Sequence, residues 1–267
     1  MKISVRESVG THTLLVIAVF FAVYPLGSII ISSLQKASGP GIGWGNFSIA
    51  WNRGHFASAL ISSALVAASV VLITAIISCL AGYALATMRV PGGRLILGVL
   101  LVGLVLPYEV TVLPLYQMLS GWGLINTYWA LILPQIGLSV PLGVFWMRAF
   151  FRSVPEEILE AARLDGASRL QTLRLALLPI AGPAIATLST ILFLFTWNEF
   201  LLALILIPDN QAVQTAPLAL SFFSGTDRSS NPYVTAAAAV LVAVPIIIAY
   251  VVLQRRLITG LTSGAVK

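Results

Sequence analysis

Charge is scarce in this chain. Only 9% of its 267 residues are Asp, Glu, Lys or Arg, against about 25% in a typical soluble domain. That shortage excludes a water-soluble globular protein. With 58% apolar residues and a mean hydropathy of +0.98, the chain belongs in a membrane. Cysteine is almost missing. Cys79 stands alone inside an apolar run, which excludes an intrachain disulfide and leaves a redox or zinc site without a second thiol; packing is its role. The two histidines, His12 and His55, are solitary, and they read as an interfacial and a loop residue. Phosphate-loop chemistry is absent too. The basic turn Met88-Arg89-Val90-Pro91-Gly92-Gly93-Arg94 has neither the Walker spacing nor its terminal Lys-Ser/Thr, so this chain is not expected to hydrolyse ATP. No internal repeat of the secondary-transporter kind is evident.

What fills the chain is apolar runs. Six of them reach the ~20 residues needed to span a bilayer: about 13–34, 57–87, 95–119, 128–147, 184–207 and 233–253. No separate soluble domain fits, so residues 1–267 read as one transmembrane domain. Lys2 and Arg6 before the first run mimic a signal peptide, yet the run exceeds the ~7–15 residues of a signal core and is expected to be retained. Pro107 and Pro114 interrupt the third run, and Pro134 and Pro141 kink the fourth. In a soluble protein the net charge of +6 would suggest nucleic acid; here loop position explains it. With the N-terminus inside, twelve of the 15 basic residues fall on the inner side, and only Lys36, Arg53 and Arg228 on the outer. This positive-inside bias predicts both termini in the cytoplasm.

The one long polar stretch is 153–183, with Arg148 and Arg152 just before it. Ser153 followed by Glu156, with Pro155 between, predicts a capping box; Val154, Ile158, Ala161 and Ala162 then form an apolar stripe. Gly166 is placed for a left-handed helix end, and Ser168 followed by Gln171 is a second capping box. Leu170, Leu173 and Leu177 supply the next stripe, which Pro179 stops. The pattern predicts two short helices meeting at an angle on the cytoplasmic side. Such an elbow fits a docking surface for a partner, and it equally fits an ordinary interfacial loop.

Two carboxylates lie inside apolar runs. At ~1.5 Å per residue, Glu109 stands roughly 21 Å along the third run and Glu199 roughly 22 Å along the fifth. A carboxylate at that depth faces protein or a water-filled path. One reading is a substrate path lined by Glu109, Trp197, Asn198 and Glu199, where amide and carboxylates bind hydroxyls and the indole offers a flat face to a sugar. Another is structural pairing within the bundle, and a third is a proton relay, for which no Lys or Arg lies at similar depth.

Several of these residues also carry a family resemblance. Glu160-Ala161-Ala162, three residues, Gly166, nine residues, then Ala176-Leu177-Leu178-Pro179 resembles the EAA motif of ATP-binding-cassette (ABC) importer permeases. Ala176 departs from it, since the family usually has a branched residue there. Gly82-Tyr83-Ala84-Leu85-Ala86, Leu113-Pro114-Leu115-Tyr116 with Gly123-Leu124-Ile125-Asn126-Thr127, Trp197-Asn198-Glu199-Phe200, and the tail Gly260-Leu261-Thr262-Ser263-Gly264-Ala265-Val266-Lys267 are similar to segments of the carbohydrate, maltose-permease-like branch. The resemblance implies an all-α membrane protein of the type I ABC importer permease fold, with a cytoplasmic coupling-helix elbow. It implies ATPase-coupling roles for Glu160, Ala161, Ala162, Asp165, Gly166, Pro179, Gly264 and Lys267. It also implies a second permease, an ATPase dimer that carries ATP and Mg, an external solute-binding protein and a carbohydrate substrate, with no cofactor in this chain. An ion-coupled carrier acting alone is the alternative that the residues leave open.

Overall fold

The structure, a computed structural model, describes residues 5–36, 41–223 and 231–263, with side chains for 10–36, 41–223 and 231–252. Gly264 and Lys267 lie outside the described residues. Helix dominates, and the only β pairing among the described residues is an isolated bridge between Gln35 and Ile42. Five helical stretches are long and apolar enough to cross a membrane: Gly10–Leu34, Phe56–Thr87, Tyr128–Ser153, Arg169–Trp197 and Pro232–Val252. A sixth, Gly93–Val105 with Tyr108–Gly121, is bent by 97° at its break.

The chain forms two compact units. The first comprises Met1–Ala57 and Ala219–Val244. In it, helix α1 (Val5–Leu34) is followed by the short helix α2 (Gly45–Arg53), in a stretch whose turn residues predict only a loop. The Asn46 amide of α2 donates to the carbonyls of Ser33 (3.0 Å) and Gln35 (2.7 Å), satisfying groups that the end of α1 leaves free. The rings of Phe56 and Phe223 stack at 6.2 Å.

The second unit comprises Ser58–Leu218 and Pro245–Lys267. It holds most of α3 (Phe56–Thr87), then α4 (Gly93–Val105), a 3-10 turn (Tyr108–Thr111), α5 (Val112–Gly121) and α6 (Tyr128–Ser153). After these come α7 (Glu156–Leu164), the single turn α8 (Arg169–Gln171), a π-turn (Thr172–Leu177), α9 (Leu178–Trp197), α10 (Leu201–Leu206) and the first half of α11 (Ala216–Ser221). Helix α12 (Pro232–Ser263) ends the described chain. Two apolar clusters hold the unit. One gathers Val66, Val70, Val112, Leu119, Leu131, Leu202 and Leu206; the other gathers Tyr83, Met147, Phe151, Leu173, Leu177, Leu188 and Leu192.

Helices α3 and α6 run in the same direction. The Ser62 hydroxyl lies 3.0 Å from that of Tyr128 near one end, and Gly82 packs on Met147 and Arg148 near the other. The segment between them must therefore carry the chain back across once, despite its bend. The broken stretch counts as one span.

Three expectations need correction. The third span is not interrupted twice. Leu106, ahead of Pro107, is extended (φ −67, ψ 127), as the residue before a proline prefers, and the helix ends there. Pro114 sits in the first turn of α5, where its missing N–H costs nothing. The fifth span does not run over 184–207; it begins at Arg169, ends at Trp197, and is followed by the separate α10. Pro179 does not stop it. The wide π-turn at Thr172–Leu177 resets the register, so Pro179 falls at the start of α9 and removes no bond that helix needs.

Candidate functional site

The elbow is built much as its punctuation predicts, with exceptions at Ser153, Leu170 and Pro179. Helix α7 closes on Gly166 (φ +72): its N–H donates to Arg163 O (3.1 Å), and the Ala167 N–H donates to Ala162 O (2.9 Å). That crossed pair is a Schellman end, which needs a left-handed residue. The box at Ser168 is complete. Its N–H donates to Gln171 Oε1 (2.8 Å), and the Gln171 N–H donates back to Ser168 Oγ (3.4 Å). The expected box at Ser153 does not form. Helix α6 runs through that residue, whose hydroxyl donates to Phe150 O (2.7 Å), and α7 starts after Pro155 with no side-chain cap. Val154, Ile158, Leu173 and Leu177 pack inward as expected, whereas Leu170 is 67% exposed.

Glu160, Ala161, Asp165, Gly166 and Pro179 are exposed, and Ala162 is half-buried. Leu164 and Leu175 also project, at 89% and 71% exposure. The elbow is tied to the end of α3. Tyr83 Oη donates to Arg169 O (3.1 Å), and the Arg169 guanidinium reaches Met88 Sδ (3.7 Å). It therefore lies on the side of the basic turn at 88–94.

The second site forms where two helices break. A cavity of about 740 Å³ is lined by Tyr108, Glu109, Gln135, Ser139, Asn198 and Glu199, with an apolar wall that includes Phe195. Its size is typical of a small-molecule site. Glu109 comes from the break at Pro107, and Asn198 and Glu199 come from the break between α9 and α10. Non-helical backbone at membrane depth is tolerated where it lines a cavity. Of the four residues assigned to a substrate path, three meet here. Trp197 does not. It is 4% exposed and lies against Phe193 at 5.4 Å, so the aromatic surfaces in the cavity are Tyr108 and Phe195 instead.

Neither glutamate sits partway along a straight helix, as counting residues suggests. Glu109 is in the 3-10 turn beyond the bend, and Glu199 follows the last turn of α9. The Glu199 carboxylate accepts from Leu202 N–H (2.8 Å), supplying an acceptor to the free start of α10. The Asn198 amide donates to Leu194 O (2.8 Å), which leaves its oxygen available. Gln135 escapes the sequence reading. Its only signal there is an isolated polar residue in an apolar run, the same signal that picks out the glutamates. Among the described residues no group of three or more His, Cys, Asp or Glu could hold a metal ion.

Comparison with known proteins agrees with this architecture. Residues 78–262 match the sequence family described as the binding-protein-dependent transport system inner membrane component. The trehalose transport system permease protein SugB of Mycobacterium tuberculosis is 38% identical over 213 residues, covering 79% of this chain and 77% of the relative. The melibiose/raffinose/stachyose import permease protein MelC of Bacillus subtilis is 31% identical over an alignment of 277 positions that covers 100% of this chain and 100% of the relative. A bacterial ABC transporter for import of the acidic polysaccharide alginate shares the fold, with a TM-score of 0.78 at 22% identity over 96% of this chain and 99% of that one. A multi-pass helical membrane protein with a capped elbow, a cavity at two helix breaks and these relatives, the chain belongs to the binding-protein-dependent transport system inner membrane component family and is a permease of the ABC importer type.

Proposed function

We propose that this chain is the permease subunit of an ATP-driven carbohydrate importer, working with a second permease, an ATPase dimer and an extracytoplasmic solute-binding protein. The observation that carries the reading is the cavity at the two helix breaks, where hydroxyl-binding groups meet aromatic surface. Hydroxyls need hydrogen-bond partners and sugar C–H faces need apolar contact; the lining supplies both. The relatives named for trehalose and melibiose/raffinose/stachyose transport support the same class of cargo.

Coupling falls to the elbow. Glu160 and Asp165 supply charged contacts at its surface, Ala161 and Ala162 permit close approach, and Gly166 holds the bend. ATP and Mg belong to the ATPase partners, which close on nucleotide and move the elbow. Gly264 and Lys267 lie in the tail that resembles the ATPase-facing end of related chains. The bias of the basic residues supports a cytoplasmic elbow and cytoplasmic termini, as does the elbow's position beside the basic turn at 88–94.

The test is purification of the tagged chain from its native membrane, mass spectrometry of what accompanies it, and an ATPase assay with sugars. A second permease, an ATPase and a binding protein are expected, with turnover raised by one sugar together with its binding protein. A chain that purifies alone and transports under an ion gradient would replace the reading with a secondary carrier.

A further inference from the structure

Gln135 lies in the first third of α6, 6% exposed, on the wall of the cavity between the two helix breaks. Its amide forms no hydrogen bond within the described residues. The amide is not sealed off in the packing, and a ligand in the cavity that Gln135 lines can complete its bonds. The amide can give two hydrogen bonds and accept two more. Facing the same space are carboxylates from Glu109 and Glu199, which accept only when ionised, and no Lys, Arg or His lines the cavity among the described residues.

That combination decides the charge of the ligand. Sugar hydroxyls donate to carboxylates and exchange bonds with an amide. A carboxylate, sulfonate or phosphate on the sugar would meet like charge with no cation to offset it, a repulsion strengthened away from bulk water. The fold is shared with an importer of an acidic polysaccharide, so fold does not settle the point; the lining does. We propose that Gln135, Glu109 and Glu199 form a binding subsite for an uncharged, hydroxyl-rich sugar unit and discriminate against anionic carbohydrates. The proposal rests on the importer reading above and adds to it the charge class of the cargo and the residue that reads it.

The experiment uses the complete importer in lipid nanodiscs, without binding protein, and measures direct binding of radiolabelled trehalose, maltose and raffinose, and of glycerol 3-phosphate and an alginate trisaccharide. At least one neutral probe is expected to bind at least about tenfold more tightly than either anion. Gln135→Met and the isosteric Gln135→Glu should each weaken that neutral probe by about tenfold. Glu109→Gln with Glu199→Gln should narrow the gap between neutral and anionic probes. Each variant is checked for assembly by size-exclusion chromatography, and the isosteric change guards against a folding defect.

Neutral binding unaltered in both Gln135 variants would overturn the subsite, as would anions that bind as well as neutral sugars. ATP-driven uptake by the wild type separates the two levels. Uptake of a neutral sugar with indifferent Gln135 variants removes the subsite and leaves the importer. Neither uptake nor binding of any carbohydrate removes both.

Discussion

At Gly82 a methyl group would stand 2.8 Å from the backbone nitrogen of Arg148 and 2.8 Å from Cβ of Met147. At Gly143 it would run into Ser78, whose Cβ lies 2.9 Å away. These glycines let α3 and α6 pack closely, as small residues do between membrane helices, where lipid provides no hydrophobic drive for association. Gly137, on the same α6, has open space where a methyl group would go, with nothing within 4 Å. Gly82→Ala is therefore expected to destabilise the bundle by about 1–3 kcal/mol through overpacking, whereas Gly137→Ala should be neutral or stabilising by about 0.5–1 kcal/mol. Thermal unfolding of the purified assembly checks the pair. Equal midpoints for the two variants would contradict the close crossing.

Among the elements, the elbow separates what sequence can specify from what it cannot. Ser168 and Gly166 are legible because a capping box and a left-handed end are local chemistry, complete within a few residues. Ser153 carries the same local signature but caps nothing, because α6 packs Phe151 into the apolar cluster and continues past it. Tertiary burial overrides a local preference. Ser168→Ala is expected to cost about 1 kcal/mol of elbow stability and Ser153→Ala much less, read as hydrogen-exchange protection over 156–177. The breaks at Leu106–Pro107 and Asn198–Phe200 divide the same way. A proline marks the first, and no punctuation marks the second, where only the capping contact from Glu199 to α10 explains the stop. That is why three lining residues can be found from sequence while Trp197 is misplaced and Gln135 overlooked: depth and polarity are written in the sequence, but the facing side of a helix is not. Gly166→Pro forces a φ of about −65° on a residue at +72. With it, or with Ala161→Trp, ATP hydrolysis per sugar transported should rise several-fold while the bundle still assembles. Coupled uptake at the wild-type ratio would contradict the elbow's role.

For the molecule as a whole, orientation can be measured cheaply, since Cys79 is the one cysteine and is buried. In a Cys79→Ser background, Leu164→Cys should react with a membrane-impermeant maleimide only in inside-out vesicles, and Trp44→Cys only in right-side-out ones. Both original residues are exposed, at 89% and 74%. Labelling of Leu164→Cys from outside would invert the topology and remove the ATPase from the elbow.

The long helical run from Arg169 to Trp197 has a mechanical meaning. Its 29 residues pass through the π-turn and α9 without a stop at Pro179, and join the capped start at Ser168 to the polar break at Asn198. At ~1.5 Å per residue it is a lever about 43 Å long. A tilt of ~5° at the foot swings the far end by ~4 Å, more than the ~3 Å length of a hydrogen bond. On the proposed coupling, a small push at the elbow end would be geared up into the loss or gain of a whole set of contacts around Glu199, with no element along the way needing to unfold.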